Sequence, residues 1–344
     1  MKNAKTEKKV SYEVSDIGYG YLKIPDPNNP EKVIKIKAVV ALLGESLNSD
    51  GDSKIDVIEV DGVAYVVGDD VYKLGKNPIT SHENLNRAQN IAYKVLALYG
   101  LAKYGRIDID GKVGFLTGLP FQNLDEADTV KEVLQKEHTV IFNGKELKIA
   151  LENVIVTSQG LGTFYSLAAQ RGEKIFSKKI LIGDLGFGTI NWVPLNNGNI
   201  DKEFVKTNRD LGIQNAYKKI ADAVNLEFKA NYKFYDVDDL LDKGVPSQDI
   251  ERGKFMIPIL DRPYVVNAFT AYAQRVWADF EDKYDSKYRE ELDEVVFAGG
   301  TADRVQKYLL DVRKQYCSVM DNPQDAQVLG YQYISDRIPS NTAE

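Results

Sequence analysis

Cysteine, histidine, long apolar runs and surplus positive charge are all scarce in this chain of 344 residues, and each scarcity closes off a class of function. The single cysteine, Cys317, excludes an internal disulfide or a thiolate metal cluster and reads as a buried, inert thiol in a reducing cytoplasm. Neither His82 nor His138 has the Cys or carboxylate spacing of a zinc site, so both read as surface or satisfied core histidines. The longest apolar stretches, such as Val95 to Leu101, fall short of the ~20 residues that cross a bilayer, and no membrane span is expected. With 44 Lys and Arg against 51 Asp and Glu, the net charge of −7 argues against direct binding of nucleic acid, whose phosphates demand a basic surface. There is no Gly-x-x-x-x-Gly-Lys-Ser/Thr, which excludes a P-loop. The lysine-rich start, Met1 to Val10, is not followed by the apolar segment of a secretory signal and reads as a solvated tail.

What is present suits a globular protein with two domains of ~150 residues. Val10 to Lys23 reads as two strands around a glycine turn. A turn-rich stretch follows, with Pro25, Pro27, Asn28, Asn29, Pro30 and the run Asn48 to Asp52, and reads as a small inserted subdomain enclosing a strand at Val33 to Leu43. Val57 to Val67 gives two short strands around the hairpin dipeptide Asp61-Gly62. The spacing of Ile91, Val95, Leu96, Tyr99 and Leu101 predicts a helix over Asn84 to Tyr104 with one buried face. A strand at Val113 to Leu116 stops at Thr117-Gly118-Leu119-Pro120. A helix at Ala127 to Lys136, strands at Thr139 to Phe142 and Leu147 to Leu151, and a helix from Phe164 to Gln170 complete the first half.

The second half repeats the plan. Strands at Ile180 to Asp184 and Ile190 to Pro194 flank a glycine turn, a strand at Phe204 to Thr207 and a helix at Gln214 to Ala223 follow, and a mixed polar segment, Phe228 to Pro258, reads as a second insertion. A long helix from about Tyr264 to Tyr284 should bury Val266, Phe269, Ala273, Val276, Trp277 and Phe280. A strand at Glu294 to Ala298 then ends in Gly299-Gly300-Thr301, before a helix to Val312. This order in both halves indicates α/β lobes with mixed sheets.

One short phrase occurs twice, about half the chain apart: Asp16-Ile17-Gly18-Tyr19-Gly20 and Asp184-Leu185-Gly186-Phe187-Gly188. Glycines here let the backbone turn tightly and bring its N–H groups against an anion such as phosphate. Either hairpin alone is more often an ordinary turn, but the matched pair puts one carboxylate near the phosphates from each half, as suits Mg²⁺ held through its water shell. Gly299-Gly300-Thr301 offers a third close approach, for a base or ribose, although a plain strand-to-helix turn would look the same. Gln159 has a bland reading as a polar residue at the entrance to the helix that follows, but a neutral amide there can orient a water at a phosphate site.

On these residues the chain resembles the actin-like ATPase superfamily, closest to the prokaryotic actins of the ParM plasmid-segregation and archaeal types. Asp16 to Lys23 looks like the first phosphate motif and Asp184 to Thr189 the second. Gln159-Gly160 is similar to the first connecting segment, Val296 to Thr301 to the adenosine motif, and Ala326 to Tyr331 to the second connection. Thr117 to Pro120 and Leu211-Gly212-Ile213 sit where such chains have related segments. Two departures stand out: Asn191 occupies a place that often holds Asp, and Thr301 one that usually holds Gly or Ser.

The resemblance implies an actin-like two-lobed α/β fold of duplicated ribonuclease-H-like domains, each with a mixed five-stranded sheet, and a nucleotide cleft between them. Lobe I would span 1–157 plus 331–344 with an insertion at about 25–58, and lobe II 158–330 with an insertion at about 224–262. It implies ATP or ADP with Mg²⁺ as ligands, Asp16 and Asp184 ordering the metal's waters, and Gln159 placing the attacking water. Gly18, Tyr19, Gly20, Lys23, Gly186, Phe187, Gly188 and Thr189 would hold the phosphates. Gly299, Gly300 and Thr301 would hold adenosine, with Gln214 and Asn215 at the ribose. A cytoplasmic ATPase that self-associates into filaments, linked to DNA or other cargo through an adaptor protein, is the first reading. A non-polymerising ATPase or phosphotransferase of sugar-kinase or chaperone type, or a nucleotide-binding adaptor of low turnover, are the alternatives.

Overall fold

The computed structural model of the protein describes residues 11–18, 20–44, 55–81, 86–107, 112–247, 255–313 and 316–338. The basic tail, Tyr19, the Asn48 to Asp52 turn and His82 lie outside them. Two compact units divide the chain, Met1–Gly172 with Asp325–Glu344, and Glu173–Gln324.

The first unit runs β1 (Tyr12–Ile17), β2 (Tyr21–Asp26), β3 (Asn29–Lys37), β4 (Val39–Leu42), β5 (Val57–Val60), β6 (Val63–Val67), α1 (Asp69–Lys73), β7 (Ile79–Thr80), α2 (Ile91–Tyr104), β8 (Lys112–Leu119), α3 (Ala127–Leu134), β9 (Glu137–Phe142), β10 (Lys145–Ser158) and α4 (Gln159–Arg171). The second runs β11 (Lys179–Leu185), β12 (Ile190–Asn196), β13 (Asn199–Ile200), β14 (Lys206–Asn208), α5 (Gln214–Phe228), α6 (Val237–Lys243), β15 (Val245–Pro246), β16 (Met256–Ile257), α7 (Pro263–Lys283), α8 (Ser286–Glu290), β17 (Glu294–Ala298), α9 (Ala302–Val312) and β18 (Cys317–Val319). The chain then returns to the first unit as α10 (Ala326–Ser335).

The two units share one strand order. In the first, β3-β2-β1-β8-β10 has antiparallel hairpins leading to parallel β1, β8 and β10. In the second, β13-β12-β11-β17-β18 repeats it, with β14 beside β12. Parallel strands joined through helices need both faces covered, and the cores show it: β11 is buried at Ile180 to Gly183 and β17 at Val295 to Ala298. In the first unit the sheet continues through β9 into β5, β6, β4 and β7. The added strands therefore run from Val39 to Thr80, later than the expected 25–58, because Tyr21–Lys37 is the β2–β3 hairpin of the core sheet. The expected boundaries at 157/158 and 330/331 also miss the unit edges, since α4 and the whole of α10 pack with the first unit.

Local chemistry explains most elements. Asp61 and Gly62 both take positive φ, 53° and 78°, as a two-residue hairpin of twisted strands requires. Asn90 caps α2 by accepting from the N–H groups of Ala92 and Tyr93. That helix is buried from Ala92 to Leu101 on nearly every side rather than on one face, as a helix surrounded by sheet and insertion must be. Pro263 opens α7 at its first position. The buried stripe of α7 includes Val265 and Tyr272, while Val266, expected inside, is 37% exposed. Phe204 lies in a short 3-10 turn and the strand follows it, as β14.

His138 is a satisfied core residue: its Nε2 donates to the Leu134 carbonyl at 2.9 Å. Burial, aided by Lys94 and Lys136, pushes the imidazole below its ordinary value. The unfolded chain then takes up a proton that the folded chain refuses, so stability is present above pH ~6.5 and is lost as the pH falls below it. Urea midpoints measured from pH 7.5 to 5.5 should decline in the wild type, and His138→Gln should flatten that decline. Cys317 is half-buried, not fully so, and burial pushes its thiol up to about 11, which keeps it protonated and inert.

Candidate functional site

In the first unit, Asp16 stands at the end of β1, 2% exposed. Pairing of β1 with β2 sets Asp16 opposite Lys23, and the Lys23 ammonium lies 3.1 Å from Asp16 Oδ2. Gln159, far away in sequence, is brought in because β10 runs parallel to β8 in the same sheet and ends where α4 begins. Its Nε2 donates to Asp16 Oδ1 at 3.2 Å. Lys23 and Gln159, far apart in the sequence, thus share the one carboxylate of Asp16. Behind them Tyr93 and Thr117, both buried, place their hydroxyl oxygens 3.3 Å apart, and burial pushes the Tyr93 phenol up to about 12.

The glycines of the first turn have different jobs. The Gly18 N–H closes the hairpin on the Tyr21 carbonyl at 3.0 Å, so that N–H is spent on the turn rather than offered to an anion. A Cβ at Gly18 would meet that carbonyl at 3.3 Å, whereas a Cβ at Gly20 would meet nothing within 4 Å.

The second unit repeats this division. The Gly186 N–H donates to the Thr189 carbonyl at 2.8 Å, and a Cβ at Gly186 would lie 2.9 Å from that oxygen. At Gly188 only the Gln214 amide nitrogen comes within 4.0 Å. Gly299 has φ +95°, and a Cβ there would strike Asp184 Oδ1, while Gly300 has only the Gln324 side chain at 3.8 Å. In all three motifs the first glycine is the more confined, tightly at Gly18 and beyond any Cβ at Gly186 and Gly299, and the second is unobstructed. An unobstructed glycine with ordinary φ is what close approach by an outside group requires.

Asp184, on β11, sits opposite Asn191 on β12 and beside Ala298 on β17. Asn191 accepts from the Thr207 hydroxyl at 2.9 Å. Thr301 is 5% exposed and its hydroxyl donates to the Leu185 carbonyl at 2.9 Å, tying the start of α9 to the glycine turn. Phe187 stacks on Phe234 at 5.8 Å. Gln214 opens α5 against the turn, its N–H donating to the Phe187 carbonyl at 3.0 Å, whereas the Asn215 amide donates to Asp210 in its own loop. Gly212 presses on the turn so closely that a Cβ would overlap the Phe187 carbonyl.

Sequence reasoning missed Ser81, whose hydroxyl donates to the Gly18 carbonyl, and the buried Arg87 behind it. It also missed Tyr272, buried on α7 near Thr301 and Asp184, whose phenol is pushed up by burial and by the Asp184 charge. No local signal marks these residues, because each acts across a long separation in sequence. Among the described residues no group of three or more His, Cys, Asp or Glu could hold a metal, and no helix is long and apolar enough to cross a membrane.

Residues 15–162 match the family described as actin like proteins N terminal domain. No curated protein sequence matches the chain. Among solved structures, an archaeal actin homologue has a TM-score of 0.77 at 19% identity, with 95% of this chain and 99% of that one covered. The apo ParM protein of psk41 has a TM-score of 0.72 at 18% identity, with 96% and 98% covered. A ParM of a 15-stranded filament from Clostridium botulinum has 0.72 at 17%, with 96% and 100% covered. At such identities the likeness is one of fold. The chain therefore has the actin-like fold over nearly its whole length, and its residues 15–162 are similar to the N-terminal domain of actin-like proteins.

Proposed function

We propose that the chain is an actin-like ATPase that takes ATP with Mg²⁺ at its glycine turns and assembles into filaments whose lifetime hydrolysis controls. The observation that carries this reading is the Asp16 carboxylate held between the Lys23 ammonium and the Gln159 amide. The unobstructed second glycines at Gly20, Gly188 and Gly300 fit phosphate and nucleoside approaching the backbone. An archaeal homologue of the same fold has been solved with ADP, and a ParM relative as a filament, which supports both halves of the reading.

Mg²⁺ is usually held by one or two carboxylates, the rest of its shell being water and phosphate, so an aspartate such as Asp16 or Asp184 could hold it without a larger cluster. When bound, ATP with Mg²⁺ supplies the γ-phosphoryl group and neutralises much of its charge. The chain's own part is positioning. Lys23 fixes the Asp16 carboxylate, and Gln159, oriented by donating its N–H to Asp16, would use its carbonyl oxygen to accept from and align a water. Coupling to DNA or other cargo through an adaptor, in a cytoplasmic setting, completes the proposal. The Asn191–Thr207 bond, standing where a second-motif carboxylate would help, favours slow turnover.

Sedimentation with Mg-ATP and with Mg-ADP tests assembly, and Gln159→Ala tests the chemistry. The variant should pellet with ATP like the wild type yet release phosphate about a hundredfold more slowly. Unchanged phosphate release would remove Gln159 from its role. A wild type that stays in the supernatant and phosphorylates a sugar would overturn the filament reading.

A further inference from the structure

β17 and β18 lie parallel in the second unit, Val295 beside Cys317 and Phe297 beside Val319, so the chain leaves both strands at the same end of the sheet. Beyond β17 comes Gly299-Gly300-Thr301, and beyond β18 the loop Asp321-Asn322-Pro323-Gln324. The carboxyl ends of parallel strands are where α/β sheets receive ligands. Two backbone bonds hold this loop against the glycines. The Met320 N–H donates to the Phe297 carbonyl at 3.0 Å, and the Gly299 N–H donates to the Pro323 carbonyl at 2.9 Å. Asn322 turns the chain with φ +49°, a conformation that asparagine tolerates, and Pro323 is buried.

This anchoring sets the Gln324 side chain beside the second glycine. A Cβ on Gly300 would lie 3.8 Å from both Cγ and Nε2 of Gln324. Gly300 is exposed and Gln324 half-buried, so the amide borders an open face of backbone. A flat group resting on Gly300 takes the place of that Cβ, and its edge comes within reach of the amide. Glycine has no side chain with which to tell one such group from another, and the buried Thr301 hydroxyl is turned to the Leu185 carbonyl. The choice falls to Gln324.

A glutamine amide offers a donor and an acceptor side by side. Adenine shows the matching pair at its 6-amino group and N7, whereas guanine shows two acceptors there, O6 and N7. On this edge Gln324 pairs twice with adenine and once with guanine. We propose that Gln324 is the residue that selects the purine base, accepting from the 6-amino group of adenine and donating to N7. This rests on the nucleotide reading above and adds to it the group that distinguishes ATP from GTP.

The experiment measures dissociation constants of the full chain for Mg-ATP, Mg-GTP and the Mg complex of 7-deaza-ATP, in which a C–H replaces N7. Wild type, Gln324→Ala and Gln324→Lys are compared. The wild type should prefer ATP to GTP about tenfold or more, the discrimination usual for a bidentate pair. It should prefer ATP to 7-deaza-ATP about three- to tenfold, as loss of one hydrogen bond implies. Gln324→Ala should bind all three alike, and Gln324→Lys, which offers donors only, should favour GTP. A wild type that does not distinguish ATP from both analogues, Gln324→Ala with the preference intact, or Gln324→Lys still favouring ATP overturns the role of Gln324. A wild type that binds none of the three overturns the nucleotide reading itself and this proposal with it.

Discussion

Asp16→Asn is expected to lower ATP turnover about 100- to 1,000-fold, the usual loss when a preorganised polar group at a reacting centre is removed. The carboxylate accepts from Lys23 on one oxygen and from Gln159 on the other. Asparagine offers one oxygen and one NH₂, so whichever way it turns, a donor faces a donor. The Lys23 side chain is only 13% exposed, and losing its counter-charge at such depth adds a stability cost of about 1–3 kcal/mol. The measurement is steady-state phosphate release beside a urea melt. A drop in release much larger than the fall in stability explains would show that Asp16 serves the chemistry as well as the fold.

Gly330→Val is expected to destabilise the chain by about 3 kcal/mol or more, at the upper end for forced overpacking. A Cβ on Gly330 of α10 would lie 1.6 Å from the Gly162 carbonyl oxygen of α4. Gly162 is as confined, since its Cβ would meet the Tyr331 ring at 2.4 Å and the Gln327 carbonyl at 2.8 Å. Both obstacles at Gly330 and Gly162 include backbone, so relief requires the two helices to move apart. Gln159 is the first residue of α4, and a shifted α4 would also loosen its bond to Asp16. Urea unfolding reads the loss directly. Gly20→Ala, whose Cβ meets nothing, is the control and should leave the midpoint unchanged.

These glycines mark where the sequence was legible and where it was not. β17 was read to the residue, and the turn at Asp61-Gly62 and the stripe of α7 nearly so, because strand runs, turn dipeptides and helical spacing are local signals. The first turn of α4 was not read as helix. Gly160 and Gly162 look like a loop until α10 is seen lying against Gly162, and that contact joins residues far apart in the chain. The insertion was placed too early because prolines at 25, 27 and 30 suggest a break, yet Pro25 lies in β2 and Pro30 falls within the span of β3.

At the candidate site, the sequence marked Asp16, Lys23, Gln159 and the paired turns through their repetition and order. What it could not weigh was which glycine of each pair the fold itself consumes. That depends on the Tyr21 and Thr189 carbonyls closing each hairpin. Ser81 and Arg87 were invisible for a similar reason: a lone serine and a lone arginine carry no pattern, and only the pairing of β4 with β7 brings them behind the turn.

The most direct test of the central claim is a calorimetric titration of Mg-ATP into the wild-type chain and into Asp16→Asn. The account predicts one saturable site per wild-type chain and a marked loss of affinity in the variant at unchanged secondary structure. No binding by the wild type, or equal binding by both, would contradict it.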